Sequence, residues 1–347
     1  MKRNFITMLL LTVTLRLLSG GAEQPRHIDA ETRRCLAGRI LSAELGVPVE
    51  LVTAEEPPEA PTLSVPASDE LLPVVPAAAE TPAPIPETEE SPESSGAPVP
   101  RTVTFSRDTF TNRTSLSVDA DELRRQPLTQ RLPADAPQIL ILHTHGSEAY
   151  TPSPGWEYEE SDDYRCTDTA VNVVRVGDEL AAELSRMGLR VIHDRELYDY
   201  PDYTASYSRA AAAIEQWLTV CPSLAVVIDV HRDALIQGDV VYKTRAEGAG
   251  ESMAQVMLLS GTGENGLPHP RWQENFKLAL RLQDAMTDFC ATLPRPIELV
   301  RERYNQHYTT GSLILEVGSC GNTLPEALAA VRAFARCAAP VLLSLTE

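Results

Sequence analysis

The first thing missing from this chain is positive charge over a long stretch. Residues 41–100 contain no lysine or arginine, against twelve acidic residues, and hold 13 of the 27 prolines. Such a segment cannot bury enough apolar surface to offset the entropy of ordering it. It reads as an extended, self-repelling tether, partly polyproline II in character. The chain as a whole has 30 Lys and Arg against 49 Asp and Glu, a formal net charge of -19. Nothing in that layout would neutralise phosphate, so no nucleic acid is expected as a partner. Cysteine is sparse: six residues, at 35, 166, 221, 290, 320 and 337, with no CxxC spacing. This argues against a zinc ribbon or a thioredoxin-type motif and leaves small buried thiols, with one or two disulfides open to an exported chain. No internal repeat is present. Histidine is scarce too, at seven residues, so the places where histidines gather matter.

The N-terminus reads as export machinery. Met1, Lys2 and Arg3 form a basic start, and Phe5 to Leu18 is apolar apart from Thr7, Thr12, Thr14 and Arg16. That core is short for a spanning helix, and Arg16 lies near its end, where a long side chain can reach the headgroups. Ser19, Gly20, Gly21 and Ala22 offer small residues for a signal peptidase. Residues 1–22 are therefore read as a signal peptide or membrane anchor, the alternative being an amphipathic helix on a cytoplasmic protein. The expected layout is a cell-membrane protein with one N-terminal anchor and its catalytic domain outside the cytoplasm, or a secreted one after cleavage. Residues 23–137 read as a largely disordered Pro/Glu-rich tether, with a short helix between Ala30 and Leu45 and a transitional stretch after residue 100. Residues 138–347 form the compact domain.

Within that domain strand-like and helix-like segments alternate. Gln138–His143 predicts a strand. Asp168–Met187 has helical apolar spacing and is stopped by Gly188. Leu189–His193, Leu224–Val230, Met253–Leu259, Ile297–Arg301 and Leu313–Val317 read as strands, the second a continuous apolar run buried on both faces. Ser206–Val220 and Pro270–Phe289 read as helices, and Thr323, Leu324, Pro325 and Glu326 open a last helix with a capping-box pattern. The alternation predicts an α/β fold: a mixed, mostly parallel sheet with helices on both faces.

The chemistry gathers at strand ends. Ile139 to Leu142 runs into His143, Thr144, His145, Gly146, Ser147 and Glu148. Leu224 to Val230 runs into His231, Arg232 and Asp233, and Leu313 to Leu315 into Glu316. Open α/β folds keep their sites at such ends. Two histidine-bearing ends and a glutamate-bearing third suggest a hydrolytic zinc site, which needs three protein ligands, one open position and a carboxylate base. His145 and His231 are the first two candidate ligands. An acidic third is expected, Glu148 or Asp168, with His143 a further alternative. Glu316 is the candidate base. Taken singly, each of these is equally at home as a rim histidine, a loop carboxylate or an N-cap. His193, beside Asp194 and Arg195, reads as a residue of a solvated turn. The run Arg303, Tyr304, Asn305, Gln306 and His307 is rich in donors suited to anionic and amide groups and is a candidate cleft lining.

These blocks carry a family resemblance. The domain resembles stage II sporulation protein P, a cell-wall hydrolase family of endospore formers. The likeness rests on His143 to Tyr150, Asn172 to Leu180, Tyr207 to Arg209, Ile228 to Ala234, Arg303 to His307, Leu315 to Ser319 and Gly321 to Thr323, in that order along nearly all of residues 138–345. That family is similar to zinc-dependent N-acetylmuramoyl-L-alanine amidases, which hold zinc by two histidines and a glutamate and use a second glutamate as base. The resemblance thus implies zinc at His145, His231 and a carboxylate, for which Glu148 is favoured over Asp168, with Glu316 catalytic. Arg232 and Arg303 would position a muramyl peptide, with Asn305, Gln306 and His307 beside it. It further implies peptidoglycan as substrate, cross-link cleavage as a second activity, a role in forespore engulfment, and stage II sporulation proteins D and M as partners. The rival expectations are a non-catalytic wall-binding scaffold of the engulfment machinery and a zinc peptidase or deacetylase.

Overall fold

The computed structural model describes residues 99–106, 110–247 and 252–347, which all fall in the second of two units, Pro73–Glu347. The export segment, the tether up to residue 98 and the helix expected between Ala30 and Leu45 lie outside the described residues. Among the described residues no helix is long and apolar enough to cross a membrane.

The elements follow in the order β1 (Arg101–Val103), β2 (Phe110–Asn112), α1 (Ala120–Arg125), β3 (Ile139–Leu142), α2 (Val173–Arg186), β4 (Val191–His193), α3 (Ser206–Val220), β5 (Val226–Asp233), β6 (Ile236–Gln237), β7 (Val240–Thr244), β8 (Val256–Gly261), α4 (Trp272–Phe289), β9 (Ile297–Val300), β10 (Gly311–Ser319) and α5 (Leu324–Leu343). Seven strands form the main sheet in the order β2-β9-β8-β10-β5-β3-β4. Every neighbouring pair in it is parallel except β10 and β8. The sheet is thus mixed and mostly parallel, as the alternation predicts.

Its central strands are apolar on both sides because both sides are covered. In β3, Ile139 and Ile141 join the larger core, while Leu140 and Leu142 join the smaller one. The same alternation runs along β5, with Val226, Ile228 and Val230 on one side and Val227 on the other. The larger core takes helical side chains from α1, α2, α4 and α5, including Leu123, Leu180, Phe276 and Phe334. The smaller takes Ala210 and Ile214 from α3. Period-two alternation of this kind decides which helix each strand residue meets.

Several boundaries differ from the sequence expectation. The helix expected from Asp168 begins at Val173, because Asn172 caps it by accepting the Val174 N–H at 2.9 Å. Asp168 instead accepts the Ala170 N–H at 2.9 Å in the preceding turn. The last helix opens as predicted: Thr323 and Glu326 form a reciprocal capping box. β1, β2 and α1 fall in the stretch after residue 100 that the sequence reads as transitional. β1 pairs with β7, and β2 adds an edge strand along β9. Leu123 and Leu132 are buried in the main core. Leu132 also exchanges backbone hydrogen bonds with Leu345 and Glu347 at 2.9 Å. Strands of three residues carry too little period to be read from sequence.

Candidate active site at the strand ends

The site is assembled just after β3, from His145 and Glu148, and within the last residues of β5 and β10, from His231 and Glu316. β3 and β10 flank β5, so residues far apart in sequence emerge side by side. Leu142 is in register with Asp229, which sets the turn after β3 against the end of β5. Asp229 accepts both the Thr144 N–H (2.7 Å) and the Thr144 hydroxyl (2.5 Å). On the other side of β5, Glu316 is in register with His231. The strand slips register just beyond, between Glu316 and Ser319, at Gly318 with φ +70°. Only glycine tolerates that backbone there, since a Cβ would also sit 2.9 Å from both Asn322 Oδ1 and Ala254 Cβ.

His231 is held between two carboxylates. Its Nε2 lies 2.9 Å from Asp229 Oδ1, an ion-pair contact without the alignment of a hydrogen bond, and its Nδ1 lies 3.4 Å from Glu148 Oε2. Burial disfavours the imidazolium, but the two carboxylates outweigh it, Asp229 most, and raise the His231 pKa well above its ordinary value. The Asp229 carboxyl is held below its ordinary value: burial opposes this, and His231 and Thr144 prevail.

Glu148 is buried and surrounded by donors. Its Oε2 accepts the Arg232 N–H at 3.1 Å, and its Oε1 lies 3.5 Å from Arg232 Nη1 and 3.8 Å from Arg165 Nη2. Burial would raise its pKa, yet Arg232 and then His231 hold it well below the carboxylate range. His145 completes the group. Its ring meets His231 edge-on at 5.3 Å between centroids and stacks on Tyr203 at 4.5 Å. Burial pushes its pKa down to about 3, so it is neutral. Its Nδ1 is buried without a hydrogen-bond partner. Glu316, in register with His231 on the neighbouring strand, is buried too, at 9% exposure.

The two alternative ligands have other tasks. His143 is fully buried, with Nδ1 2.9 Å from the Val230 carbonyl and Nε2 2.8 Å from His193 Nε2, so neither nitrogen is left for a metal. His193 in turn faces Asp178 at 3.2 Å, and it is a partly buried partner of His143 and not part of a solvated turn. The exposed Asp168 is spent on its local turn.

The expected cleft residues divide similarly. Arg232 is buried, donating its Nε to the Ala149 carbonyl and its Nη2 to the Tyr164 carbonyl, so it braces Glu148 and the turn after β3. Gln306 is also buried and spans the end of β8, accepting from Gly261 N–H (2.7 Å) and donating to the Leu259 carbonyl (2.9 Å). These two corrections share one reason: a buried side chain with its polar atoms engaged in the fold does not face a substrate. Asn305 donates to the Tyr207 carbonyl at 2.9 Å. Arg303 reaches the Pro268 carbonyl at 3.4 Å, and His307 lies 4.2 Å from the Tyr308 ring. Arg303, Asn305 and His307 stay partly exposed. Tyr304 adopts φ +49° between them and contacts Tyr207, which in turn meets His145 edge-on.

Sequence reasoning missed Asp229, Arg165, Asp199 and Tyr203. Asp229 had a signal, since it sits two residues before His231 on one strand and so on the same face. The other three come from loops and had none.

A family model described as Stage II sporulation protein P (SpoIIP) matches residues 77–339. Stage II sporulation protein P of Bacillus subtilis (strain 168) is 26% identical over 227 residues, which are 62% of this chain and 53% of the relative. The chain thus spans about half the length of the curated relative it matches. Among solved structures, the CwlD amidase from Clostridioides difficile in complex with the GerS lipoprotein aligns with 60% of this chain and 98% of its own, at 12% identity and a TM-score of 0.38. An N-acetylmuramoyl-L-alanine amidase from Clostridium difficile 630 aligns with 60% and 96%, at 16% identity and 0.36. AmiC2 of Nostoc punctiforme, also an N-acetylmuramoyl-L-alanine amidase, aligns with 60% and 96%, at 11% identity and 0.35.

Proposed function

The chain belongs to the stage II sporulation protein P family, and from that premise we propose that its domain is a peptidoglycan hydrolase of sporulation, cleaving the amide between muramic acid and the first L-alanine of the stem peptide. The observation that carries this reading is the meeting of His145, Glu148, His231 and Glu316 at the ends of three adjacent strands.

Among the described residues no three or more His, Cys, Asp or Glu side chains are already drawn together as a metal cage. The donor chemistry nonetheless fits zinc. His231 Nδ1 and Glu148 Oε2 are 3.4 Å apart, close to the ~3.3 Å edge of a tetrahedron with ~2.0 Å bonds. Asp229 backs the other nitrogen of His231, the arrangement in which a carboxylate orients a ligating imidazole. The buried His145 Nδ1 has no hydrogen-bond partner. His145, Glu148 and His231 would hold the ion. Bound there, zinc would polarise the scissile carbonyl and lower the pKa of water.

The remaining work falls to the chain. Glu316 takes the proton of the attacking water and passes it to the leaving amide nitrogen. Asp229 keeps His231 in place. Arg303, with Asn305 and His307 beside it, would meet the acidic and amide groups of the stem peptide. In the setting implied by the family, the N-terminal segment holds the protein at the membrane with this domain outside the cytoplasm, and stage II sporulation proteins D and M are its partners.

The test is digestion of purified sacculi by the 347-residue chain, with and without zinc, with products read by mass spectrometry. Free stem peptides and peptide-free glycan, absent with His231→Ala, support the amidase. Broken cross-links on intact stems would move the assignment to an endopeptidase. No product from a zinc-loaded chain would leave a wall-binding scaffold.

A further inference from the structure

Two loops interlock beside the proposed metal site: residues 262–271, which lead into α4, and residues 301–310, which lead into β10. Each sends an arginine to the backbone of the other. Arg303 Nη1 donates to the Pro268 carbonyl at 3.4 Å, and Arg271 Nη2 donates to the His307 carbonyl at 3.2 Å. Asn275 Nδ2 ties the same loops, donating to the Gln306 carbonyl at 2.7 Å and to His269 Nε2 at 3.3 Å. The clasp thus gathers Arg303, Arg271, His269 and His307. Two ring contacts join it to the site: Tyr304 lies 5.4 Å from Tyr207, and Tyr207 lies 5.3 Å from His145.

Charge in the clasp is of one sign. Among the described residues neither Arg271 nor Arg303 has a carboxylate at ion-pair distance, whereas the neighbouring Arg301 has Glu264 at 3.7 Å. His269 is only 4% exposed. Burial, and then His307, Arg303 and Arg271, push its pKa down to about 4, so it is neutral. One carboxylate acts on His307, that of Glu215, and it accepts the Tyr308 hydroxyl at 2.7 Å.

The donors here are also unspent. Asn275 Nδ2 has only N–H groups to offer, so His269 Nε2 is the acceptor and the ring proton sits on Nδ1. That Nδ1 is buried without a partner, and so are His307 Nδ1 and Arg303 Nε. Among the guanidinium nitrogens of Arg303 only Nη1 has a hydrogen bond, which leaves the edge formed by Nε and Nη2. Two parallel N–H groups on one edge match the two oxygens of a carboxylate. A primary amide brings a single oxygen and N–H groups of its own, so it cannot match that edge.

We propose that Arg303 and Arg271, together with the buried Nδ1–H of His269, form a subsite for a carboxylate of the stem peptide and select it over its amide. The inference rests on the peptidoglycan reading and adds a charge preference to it. An extended chain covers ~3.3–3.6 Å per residue, so the path from His145 through Tyr207 to Tyr304 corresponds to about two or three residues beyond the scissile amide.

The test is calorimetric binding of two probes to the zinc-loaded full chain, with Glu316→Gln as the background so that neither probe is cut. One probe is an N-acetylmuramoyl tripeptide with free carboxylates. The other is the same molecule with those carboxylates converted to primary amides. The background chain is expected to bind the free acid about 10–100-fold more tightly, the scale of a hydrogen bond to a charged group. Adding Arg303→Gln is expected to remove most of that preference, and adding Arg271→Gln, at a solvent-exposed position, a smaller part. Arg303→Lys keeps the charge without the fork and is expected to fall between. Equal binding of the two probes, or an undiminished preference with Arg303→Gln, overturns the inference and leaves the peptidoglycan reading standing. An unaltered chain that digests sacculi while the background binds neither probe also overturns the inference alone. A chain that neither digests sacculi nor binds a probe overturns both.

Discussion

Glu316 stands in register with His231 across the parallel ladder of β10 and β5. Paired residues of neighbouring strands project to the same face, so a carboxylate and an imidazole from distant parts of the chain emerge together. Glu316→Gln keeps the shape and removes the proton acceptor. The expected result is a loss of about 10²–10⁴ in kcat, with zinc affinity and melting temperature unchanged. Sacculus digestion, zinc titration and a thermal melt check the three parts. Retained turnover would show that another group accepts the proton.

Asp229 contacts His231 and Thr144, and in the proposed site it orients His231. Asp229→Asn should therefore weaken zinc binding by about 10–100-fold, while added zinc restores most of the turnover. A variant that binds zinc like its parent but stays inactive would mean that Asp229 does something other than orient a ligand.

Gly177 lies on α2 directly over the buried His143 and its partly buried partner His193. A Cβ there would sit 2.5 Å from the Nε2 of each. His143 is fully buried and paired to His193, so Gly177→Ala is expected to destabilise the domain by about 1–3 kcal/mol. The usual helix-propensity advantage of alanine over glycine, roughly 0.5–1 kcal/mol, is too small to offset that. Urea unfolding of the two proteins measures the difference, and an unchanged or raised midpoint would mean that the histidine pair is loosely held.

Glu326 ties the start of α5 to β7. Its Oε1 accepts from Lys243 Nζ (2.9 Å) and its Oε2 from Asn322 Nδ2 and Thr323 N–H (both 3.0 Å). Burial opposes its ionisation, but Lys243, Thr323 and Asn322 together hold its pKa below the ordinary value. A depressed carboxyl adds stability above the unfolded pKa of about 4.3, and that stability is lost as pH falls through the lower folded value. Glu326→Gln should cost about 1 kcal/mol at neutral pH, the scale of a lost cap, and the gap to the parent should close as pH drops below about 4. Denaturation series across that range decide it. A gap that stays constant with pH would assign the cap to geometry and not to charge.

Much of the fold was legible because its central elements obey simple periods. The two-sided apolar strands and the Thr323–Glu326 cap were visible in the residues and stand in the structure. The Ala-rich run ahead of Pro222 predicts a helix over Ser206–Val220, and α3 has those bounds. The edges were not legible. β1, β2 and the β6–β7 hairpin are short, and a three-residue strand has no period to read.

At the site, the sequence by itself determined which residues stand at strand ends, because an apolar run that stops in His145, His231 or Glu316 is a local property. Only the tertiary structure decided what each one does there. His143 and His145 are two residues apart, yet His143 meets His193 inside the domain while His145 meets Tyr203 and His231. Arg232 and Gln306 look like substrate contacts in the chain and are buried braces in the fold. Arg165 and Tyr203 gain their contacts from neighbours tens of residues away, and Asp229 gains Thr144 as its second partner from the turn after β3. Sequence spacing encodes period, and period says which face a side chain takes. Which partner waits on that face is fixed by long-range register and loop packing.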